Sequence, residues 1–600
     1  MHVKALPFVT LAAALLSSAA PTTAPAIRMN QLGFRPADPK RAILVSDVRS
    51  PLKWALVDEA GTVRMQGMSR PFGDAPEAGE HIHQVDFGAF DQAGSGYRLR
   101  VDGQDSRPFT VKPDALASLK YDALAYFYHN RAGTPIEARF AGGERWARPA
   151  GHPREIADCF AGKDTKGNDW PGCDYALDVT GGWYDAGDHG KYVVNGGIAL
   201  WTLLNLYERQ SARGLAPFAD GRLSIPEAGN GIDDLLDHGR WQMEFMLAMQ
   251  VPQGRQAQVP VGQKRPEAGL RFTAIDAGGM AHHKAADERW TGLPTAPHLD
   301  PEKRLLYPPT TAATLNLAAT AAQCARIWRS IDPAFSSRCR DAATRAYDAA
   351  RRNPEVYAAG DWPGSGNYGD GDLADEFYWA AAELFATTGN DEYARALRFP
   401  PGKAFAEPSW PEVAALGTIT LALSSREEER DAARARLVAM ADAYLADAGR
   451  SGYGIPYAPS RYPWGSNSTL LNRAIVLGYA YDFTRELRYR VAVSDALDYV
   501  LGRNPLDQSY VSGYGARPLQ NPHHRFWAHQ SDPRFPPPPS GAVSGGPNSI
   551  SFSDDIARLM RSTCAPQKCW VDHIGAFTMN EVAINWNAPL VWVAAFADEP

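Results

Sequence analysis

The pattern of hydrophobic and polar positions divides the chain into two parts. From Ile27 to Lys112, short apolar or alternating runs are separated by turn clusters such as Glu59-Ala60-Gly61. This spacing is typical of a β-sandwich. We therefore predict a small β-sandwich over residues 27–113, with strands at Ala42–Val45, Trp54–Val57, Val85–Phe87, Tyr97–Val101 and Phe109–Val111.

From about Leu116 the hydrophobic period becomes that of helices, and Leu119, Ala123 and Phe127 mark one apolar face. The same period recurs at Ile232–Gln250, Thr310–Arg329, Ala374–Thr388, Ala432–Ala448, Thr469–Leu487 and Val491–Leu501. Roughly eleven or twelve helices fit between residues 114 and 600, without the fixed repeat of a solenoid. Long loops rich in Gly, Pro and aromatic residues separate them, and such loops are usually functional.

Composition and charge narrow the possible partners. The chain has 600 residues, 44% of them hydrophobic, which is typical of a globular protein with more than one domain. A net charge of −7 gives no sign of a basic face for nucleic acid, and no segment offers the roughly 18 apolar residues of a membrane helix. We expect a monomer that binds neither nucleic acid nor a membrane.

The N-terminus has the features of a signal peptide. Lys4 supplies positive charge, Leu11–Leu16 an apolar core, and small residues before Ile27 offer cleavage sites. We therefore predict a signal peptide over residues 1–26 and a secreted protein, extracellular or periplasmic. A disordered natural N-terminus is the alternative.

The six cysteines fall into three short-range pairs, which are Cys159/Cys173, Cys324/Cys339 and Cys564/Cys569. An even number with local spacing in an exported chain favours three disulfides. Free buried thiols or a metal site are the alternatives.

The first candidate for chemistry is a glycine-flanked loop, Gly181–Tyr192. It holds Asp185 and Asp188, three residues apart, among aromatic side chains. One carboxylate can deprotonate a water molecule while the other orients it. Because two close acids repel, one of them can stay protonated. A calcium loop or a solvated turn is the alternative.

A second acidic segment lies near the C-terminus. Glu581 precedes a helix that we expect to start near Asn587, a capping residue, with Pro589 in its first turn. Burial beside Trp586 and the charge of Asp572 would both raise the pKa of Glu581, as a proton donor near neutral pH requires. A structural glutamate is the alternative.

The third segment, Ser509–Arg525, ends in His523 and Arg525. Imidazole and guanidinium groups bind sugar hydroxyls and can also hold carboxylates in place. The paired histidines lack the spacing and acidic support of a catalytic zinc site.

Together these segments resemble glycoside hydrolase family 9, which consists mostly of cellulases. The matching positions include Gly515, Arg517, Pro522 and His523 in the third segment, Asp572, Phe577, Glu581, Ala583, Asn587 and Ala588 in the second, and the Asp-Ala-Gly-Asp run at 185–188. The resemblance covers about residues 116–600. The opening Ile27–Gly33 looks like the immunoglobulin-like module that precedes the catalytic domain in one branch of the family.

The resemblance implies an immunoglobulin-like β-sandwich (27–113) followed by an all-α (α/α)6 toroid (114–600) with an open cleft. Asp188 would be the general base, with Asp185 as its partner in holding water, and Glu581 the general acid. An inverting hydrolase of this kind separates the two carboxyl groups by about 6.5–9.5 Å. The remaining expected site residues are His523 and Asp572 near the reacting groups, and Arg525, Trp464, Trp586 and Tyr184 as substrate contacts.

The resemblance also implies structural calcium, and no cofactor for the chemistry itself. Candidate ligands are Glu227, Asn230, Ile232, Asp234 and Asp237 at one site and Asp372, Asp375 and Glu376 at another. An acidic helix N-terminus is the alternative for each site. Some relatives hold zinc near Cys159 and Cys173, but Asp174 stands where a histidine is wanted, so we expect a disulfide instead.

These features predict an endo-β-1,4-glucanase acting on cellulose or related β-glucans. One alternative is an exo-acting glycosidase that releases glucose, cellobiose or glucosamine. The other is a carbohydrate-binding protein without activity.

Overall fold

The computed structural model describes residues 25–397, 406–424 and 426–599. The predicted signal peptide lies outside the described residues except for Pro25 and Ala26. Within the described ranges, no helix combines the length and apolar character needed to span a bilayer.

The N-terminal domain is the predicted β-sandwich. Its strands are β1 (Ile27–Arg28), β2 (Arg41–Val45), β3 (Lys53–Val57), β4 (Val63–Met68), β5 (Arg70–Ala75), β6 (Glu80–Asp86), β7 (Gly94–Val101), β8 (Gln104–Asp105) and β9 (Phe109–Val111). One sheet has the order β1-β2-β6-β5; the other has β4-β3-β7-β8, with β9 also paired to β7. Trp54, Leu56 and Leu99 are buried between the sheets, because alternate residues of a strand face the same side.

The second domain is helical. Its helices are α1 (Leu119–His129), α2 (Ala138–Ala141), α3 (Val193–Ala212), α4 (Asp234–Ala248), α5 (Thr311–Ile327), α6 (Pro333–Arg352), α7 (Ala374–Thr388), α8 (Asp391–Arg395), α9 (Ala414–Ala422), α10 (Glu427–Arg450), α11 (Ser466–Thr484), α12 (Leu487–Val500), α13 (Asp555–Met560), α14 (Phe577–Asn580) and α15 (Ile584–Ala597).

Short strands connect the first helices. They are β10 (Ile156–Cys159), β11 (Ala161–Lys163), β12 (Asp169–Pro171), β13 (Ala176–Asp178), β14 (Lys191–Tyr192), β15 (Gln256–Val259), β16 (Thr273–Asp276), β17 (Ala281–His282), β18 (Lys284–Asp287), β19 (Arg304–Leu306) and β20 (Pro309–Thr310). Five of them form a sheet of order β13-β10-β19-β18-β14. Because β14 leads directly into α3, this sheet supports the loop that precedes α3.

The long helices form the predicted toroid of inner and outer helices. Helices α3, α5, α7, α9, α11 and α15 are buried on nearly all sides and form the inner layer. Outside them pack α1, α4, α6, α10 and α12, with the short α8 beside α7. A helix that is apolar all round must be enclosed by others, and α15, which contacts α1, α3, α11 and α12, is the clearest case.

The start of α15 differs from the prediction. The helix begins at Ile584, so Pro589 lies inside it and Asn587 is not its cap. The Asn587 side chain instead accepts the N–H of Val543 and donates to the carbonyl of Ala123. A proline within a helix leaves the carbonyl four residues earlier without a partner. Here that carbonyl belongs to Asn585, and the Ser468 hydroxyl donates a hydrogen bond to it at 3.3 Å.

Two of the three expected disulfides are present, Cys159–Cys173 and Cys564–Cys569. The prediction for the third pair was wrong, because Cys324 on α5 and Cys339 on α6 are free buried thiols. The helices pack face to face and bring the two thiols into contact without bonding them. Burial, followed by the neighbouring Cys339, raises the pKa of Cys324, so it stays a neutral, apolar-type core side chain.

The β-sandwich docks on the helical domain through buried polar contacts. Gln31 is the centre of one such contact: its backbone N–H donates to Leu501, its amide donates to the Asp507 carbonyl at 2.9 Å, and its amide oxygen accepts the Arg517 N–H at 3.0 Å. Asn30 donates to Asp498 at 2.7 Å, fully inside the interface. The N-terminal domain therefore supports the loop that leads to His523.

We expect Gln31→Ala to lower the free energy of unfolding by roughly 1–3 kcal/mol, since two backbone groups lose their partners at the interface. Chemical denaturation would measure the change. Gln66→Ala, at an exposed position of β4, is the matched control. Equal stability of the two variants would show that the contact does not contribute.

Candidate active site

A cleft of about 1010 Å³ opens where the loops preceding the inner helices meet. Its lining includes Asp185, Asp188, Tyr192, Trp290, Tyr368, Trp410, Trp464, His523, Arg525, Phe577, Glu581 and Trp586. The lining segments precede α3, α5, α7, α9, α11 and α15. A cleft of this size holds an extended ligand of several rings, and positive helix N-termini face its carboxylates.

The loop with Asp185 and Asp188 is fixed by close backbone contacts. The Gly187 carbonyl accepts the backbone N–H of Arg525 at 2.9 Å, and a side chain at Gly187 would place Cβ 2.4 Å from the His523 carbonyl. The Asp185 carbonyl accepts the N–H of Ile584, the first residue of α15, at 2.9 Å. Only glycine allows three distant segments to meet this closely at position 187.

The two aspartates have different surroundings. Asp185 is 1% exposed and accepts hydrogen bonds from Tyr368 at 2.9 Å and from the Asn195 amide at 3.1 Å. Burial, and then the charge of Asp188, raise the pKa of Asp185 to about 7. Asp188 is 8% exposed, lines the cleft and accepts a hydrogen bond from Tyr192 at 3.2 Å. Asp188 is therefore the aspartate better placed to take a proton from water in the cleft.

Glu581 faces the same cleft from the loop between α14 and α15. Its Oε1 accepts the N–H of Gly187 at 3.4 Å. Burial, then the charges of Asp188 and Asp185, raise the pKa of Glu581 well above its ordinary value. A carboxyl group that stays protonated near neutral pH can donate a proton to a leaving oxygen.

His523 and Arg525 hold the segment that joins these loops. The His523 Nδ1–H donates to the Ile574 carbonyl at 2.7 Å, and burial lowers the pKa of His523 to about 4. The imidazole is therefore neutral, and its Nε2 can accept a hydrogen bond from a hydroxyl group in the cleft. Arg525 donates to the carbonyls of Thr291 and Gly187.

Aromatic rings line the rest of the cleft. Trp464 is 41% exposed and Trp290 is 48% exposed, which leaves ring faces open to a ligand. Trp410 and Trp586 complete the set. Sugar rings present apolar C–H faces that pack on such surfaces. Sequence reasoning named Trp464 and Trp586, and missed Trp290, Trp410, Tyr192 and Tyr368, whose only signal was their position in Gly- and Pro-rich loops.

Two expected site residues do not line the cleft. Asp572 accepts the N–H groups of Gln520 and Asn521 at 2.9 and 2.8 Å, so it holds the loop before His523 and is not among the residues that line the cleft. Tyr184 is buried behind the catalytic loop, where its hydroxyl bonds to His152 at 2.7 Å. Both side chains support the site, because buried polar groups need partners, and we correct their expected roles accordingly.

A buried ionic network lies behind the same loop. His152, Asp287 and Asp300 place potential metal-binding atoms within 4.8 Å of one another. However, Arg304 donates to Asp287 and His189 donates to Asp300. Burial, followed by nearby cations that include Arg304, lowers the pKa of His152. Since cations already neutralise this cluster, we assign no metal to it.

The first predicted calcium site is only partly consistent with the fold. Glu227 and Asp237 each keep a buried oxygen without a partner, as metal ligands would. Asn230 donates to Asp237 at 3.0 Å, while its own amide oxygen accepts the N–H of Ile232. Asp234 does not face the site, because it accepts the N–H groups of two residues in the preceding loop.

The second predicted site keeps part of its expected ligand set. Asp375, Glu376 and Asp370 each have a buried oxygen that receives no hydrogen bond from an N–H or hydroxyl donor, and the Glu376 carboxyl contacts those of Asp375 and Asp370. Burial, then the charges of Asp375 and Asp370, raise the pKa of Glu376 well above its ordinary value. Several buried carboxylates are stable together when a cation binds them. Asp370 was missed in the sequence, although it stands two residues before the predicted ligand Asp372.

Both domains match known protein families. Residues 117–594 match the model of glycosyl hydrolase family 9, and residues 22–106 match that of the cellulase N-terminal ig-like domain. The chain is 43% identical to a cellulose 1,4-beta-cellobiosidase of Acetivibrio thermocellus and 44% identical to endoglucanase C of Cellulomonas fimi, in each case over 96% of its length. It spans 67% and 52% of those two proteins.

A solved structure shares both domains. The crystal structure of a metagenome-derived glycoside hydrolase family 9 endoglucanase is 31% identical, with a TM-score of 0.80, and covers 96% of this chain and 99% of its own. The immunoglobulin-like sandwich followed by a helical toroid is therefore confirmed as the fold.

Proposed function

We propose that this chain, which belongs to glycosyl hydrolase family 9, is an inverting endo-β-1,4-glucanase that cleaves cellulose or related β-glucans. The observation that carries the proposal is the pairing of Asp188 and Glu581 in one cleft with exposed tryptophan faces. The cleft provides a base, an acid and surfaces for sugar rings. A carbohydrate-binding protein without activity would not need that pair.

The proposed reaction is a single displacement. Glu581 donates its proton to the glycosidic oxygen while Asp188 removes a proton from a water molecule on the opposite face of the sugar. The water oxygen bonds to the anomeric carbon as the bond to the leaving oxygen breaks. Asp185, held by Tyr368 and Asn195, accepts the other hydrogen of that water.

The second candidate is an exo-acting enzyme that releases cellobiose. The relative from Acetivibrio thermocellus, which bears the name cellobiosidase, favours it. Product analysis on cellohexaose separates the two, because internal cleavage gives several products, cellotriose among them, from the start, whereas exo-cleavage first gives only cellobiose and cellotetraose. We further propose that the protein is secreted and acts as a monomer.

The first product should carry the α-anomeric configuration, because water attacks the face opposite the leaving oxygen. Proton NMR recorded in the first minutes of hydrolysis tests this stereochemistry. A β-anomer appearing first would rule out Asp188 as a base acting through water. No hydrolysis of any β-glucan would rule out the function itself.

We also propose that calcium binds at Asp370, Asp375 and Glu376, and supports the fold without taking part in the chemistry. Removing calcium with a chelator should lower the melting temperature and leave activity at mild temperature. A ligand that binds only the folded state contributes about 2.7 kcal/mol at a hundredfold excess over its Kd. Scanning calorimetry with and without added calcium measures the effect.

Asp375→Asn should remove most of the stabilisation by calcium, whereas Asp341→Asn on the exposed face of α6 should keep it. A chelator that leaves the melting curve unmoved would contradict the proposal. Loss of activity without loss of fold would show that calcium serves the reaction.

A further inference from the structure

Lys284 is a buried ammonium group that lacks an ion-pair partner in the part of the chain that the structure describes. It lies in β18, directly opposite Tyr192 of β14. Its Nζ donates to the Gly366 carbonyl and lies 4.8 Å from the Tyr307 ring and 5.5 Å from the Tyr192 ring. Burying a charge without a partner is unfavourable, so the position calls for an explanation.

Hydrogen bonds connect Lys284 to both aspartates of the active site. The N–H of Gly366 donates to the Tyr192 hydroxyl at 2.9 Å, and that hydroxyl donates to Asp188 at 3.2 Å. Two residues further on, Tyr368 donates to Asp185 at 2.9 Å. The segment 366–368 therefore contributes to the hydrogen bonds of both carboxylates, and the Lys284 side chain holds the carbonyl of Gly366, the first residue of that segment.

The surroundings of Lys284 itself are mostly neutral or acidic. His283 directly precedes β18, with a pKa lowered to about 3 by burial and then by the charge of Lys284. Burial lowers the pKa of Lys284 well below its ordinary value, while Asp188 and Asp361 act in the opposite direction. A buried amino group needs a hydrogen-bond partner, and the Gly366 carbonyl provides it here.

We propose that Lys284 is a positioning residue for the general base: its side chain holds the 366–368 segment and, through it, the hydroxyl groups of Tyr192 and Tyr368 on Asp188 and Asp185. This inference rests on the proposed role of Asp188. It assigns to a residue outside the cleft lining an influence on how the two aspartates are held.

The test is the steady-state kinetics of Lys284→Met on a soluble β-glucan. In this variant the Gly366 carbonyl loses its donor, so the segment that carries Tyr368 and contacts Tyr192 is no longer held in place. We expect kcat to fall roughly tenfold or more, with KM little changed, because Lys284 does not touch the substrate.

Two further variants complete the experiment. Lys284→Arg keeps a donor for the Gly366 carbonyl and should restore most of kcat. Lys120→Met removes another buried lysine, which lies on α1 and is paired with Asp598, and should lower stability without lowering kcat of the folded enzyme. If Lys284→Met does not fold, Lys284→Arg alone decides: a kcat lowered roughly tenfold or more in the folded Arg variant overturns the proposal.

A wild-type kcat in folded Lys284→Met also overturns it, and so does a loss that appears in KM alone. Failure of the proposed function is distinguishable, because it would appear in the wild-type enzyme as a β-anomeric product or no hydrolysis. The change of kcat in the lysine variants is measured relative to the wild type and does not depend on which β-glucan is used.

Discussion

Glu581→Gln should abolish turnover of cellulose and cello-oligosaccharides while leaving their binding nearly intact. The variant keeps the shape of the side chain and loses the proton that the glycosidic oxygen must receive. General acid catalysis contributes about 10²–10⁴-fold, and a loss at the upper end is expected for a sugar leaving group. Steady-state kinetics on soluble glucan and calorimetric binding of cellotetraose measure the two effects.

A leaving group that needs no proton provides the decisive comparison. With β-cellobiosyl fluoride the same variant should keep most of its activity. The alkaline limb of the pH profile should also disappear, since activity is lost as pH rises through the raised pKa of Glu581. Glu355→Gln, at an exposed position, is the control. Equal losses on fluoride and polysaccharide would contradict the role of Glu581 as the acid.

Asp188→Ala should lower kcat by roughly 10³-fold, because the carboxylate proposed to deprotonate the attacking water is removed. The shortened side chain leaves space near the anomeric carbon. Azide, which needs no base, should enter this space and restore turnover. The carbon–nitrogen bond then forms as the bond to the leaving oxygen breaks, and Glu581 protonates that oxygen.

The stereochemistry of the azide product tests the assignment independently of rate. Attack from the face opposite the leaving oxygen gives an α-glycosyl azide, which proton NMR identifies. Asp178→Asn, on an exposed strand of the same region, is the control and should retain wild-type kinetics without azide. A β-glycosyl azide, or Asp188→Ala kinetics no different from those of Asp178→Asn, would exclude Asp188 as the base.

The residues proposed to react could be singled out in the sequence because each lies in a short contiguous segment with a distinctive composition. Asp185 and Asp188 stand between glycines, and Glu581 stands between Phe577 and Trp586. The helices with long apolar faces were also predictable; the bounds predicted for α7 agree with the structure. Local periodicity reports which face of an element is buried, so a β-sandwich followed by a helical domain was predictable from the chain, whereas the toroid was implied by the family resemblance.

The start of α15 was not predictable, because the hydroxyl that compensates for Pro589 comes from Ser468 on another helix. The free thiols on α5 and α6 are a second case. Spacing in the sequence cannot tell a bonded pair from two thiols in contact, since a disulfide requires a specific geometry between the two side chains.

Tertiary structure alone decided how the site is assembled. The sequence determined the chemical groups, but only the ring of inner helices brings the loops at their N-termini to one cleft. The tertiary structure places Tyr184 and Asp572 outside the cleft lining. It also brings Tyr368 into contact with Asp185, which lies 183 residues away along the chain. Hydrogen bonds and charges act over a few ångströms in space, whatever the separation along the chain, so no local pattern records them.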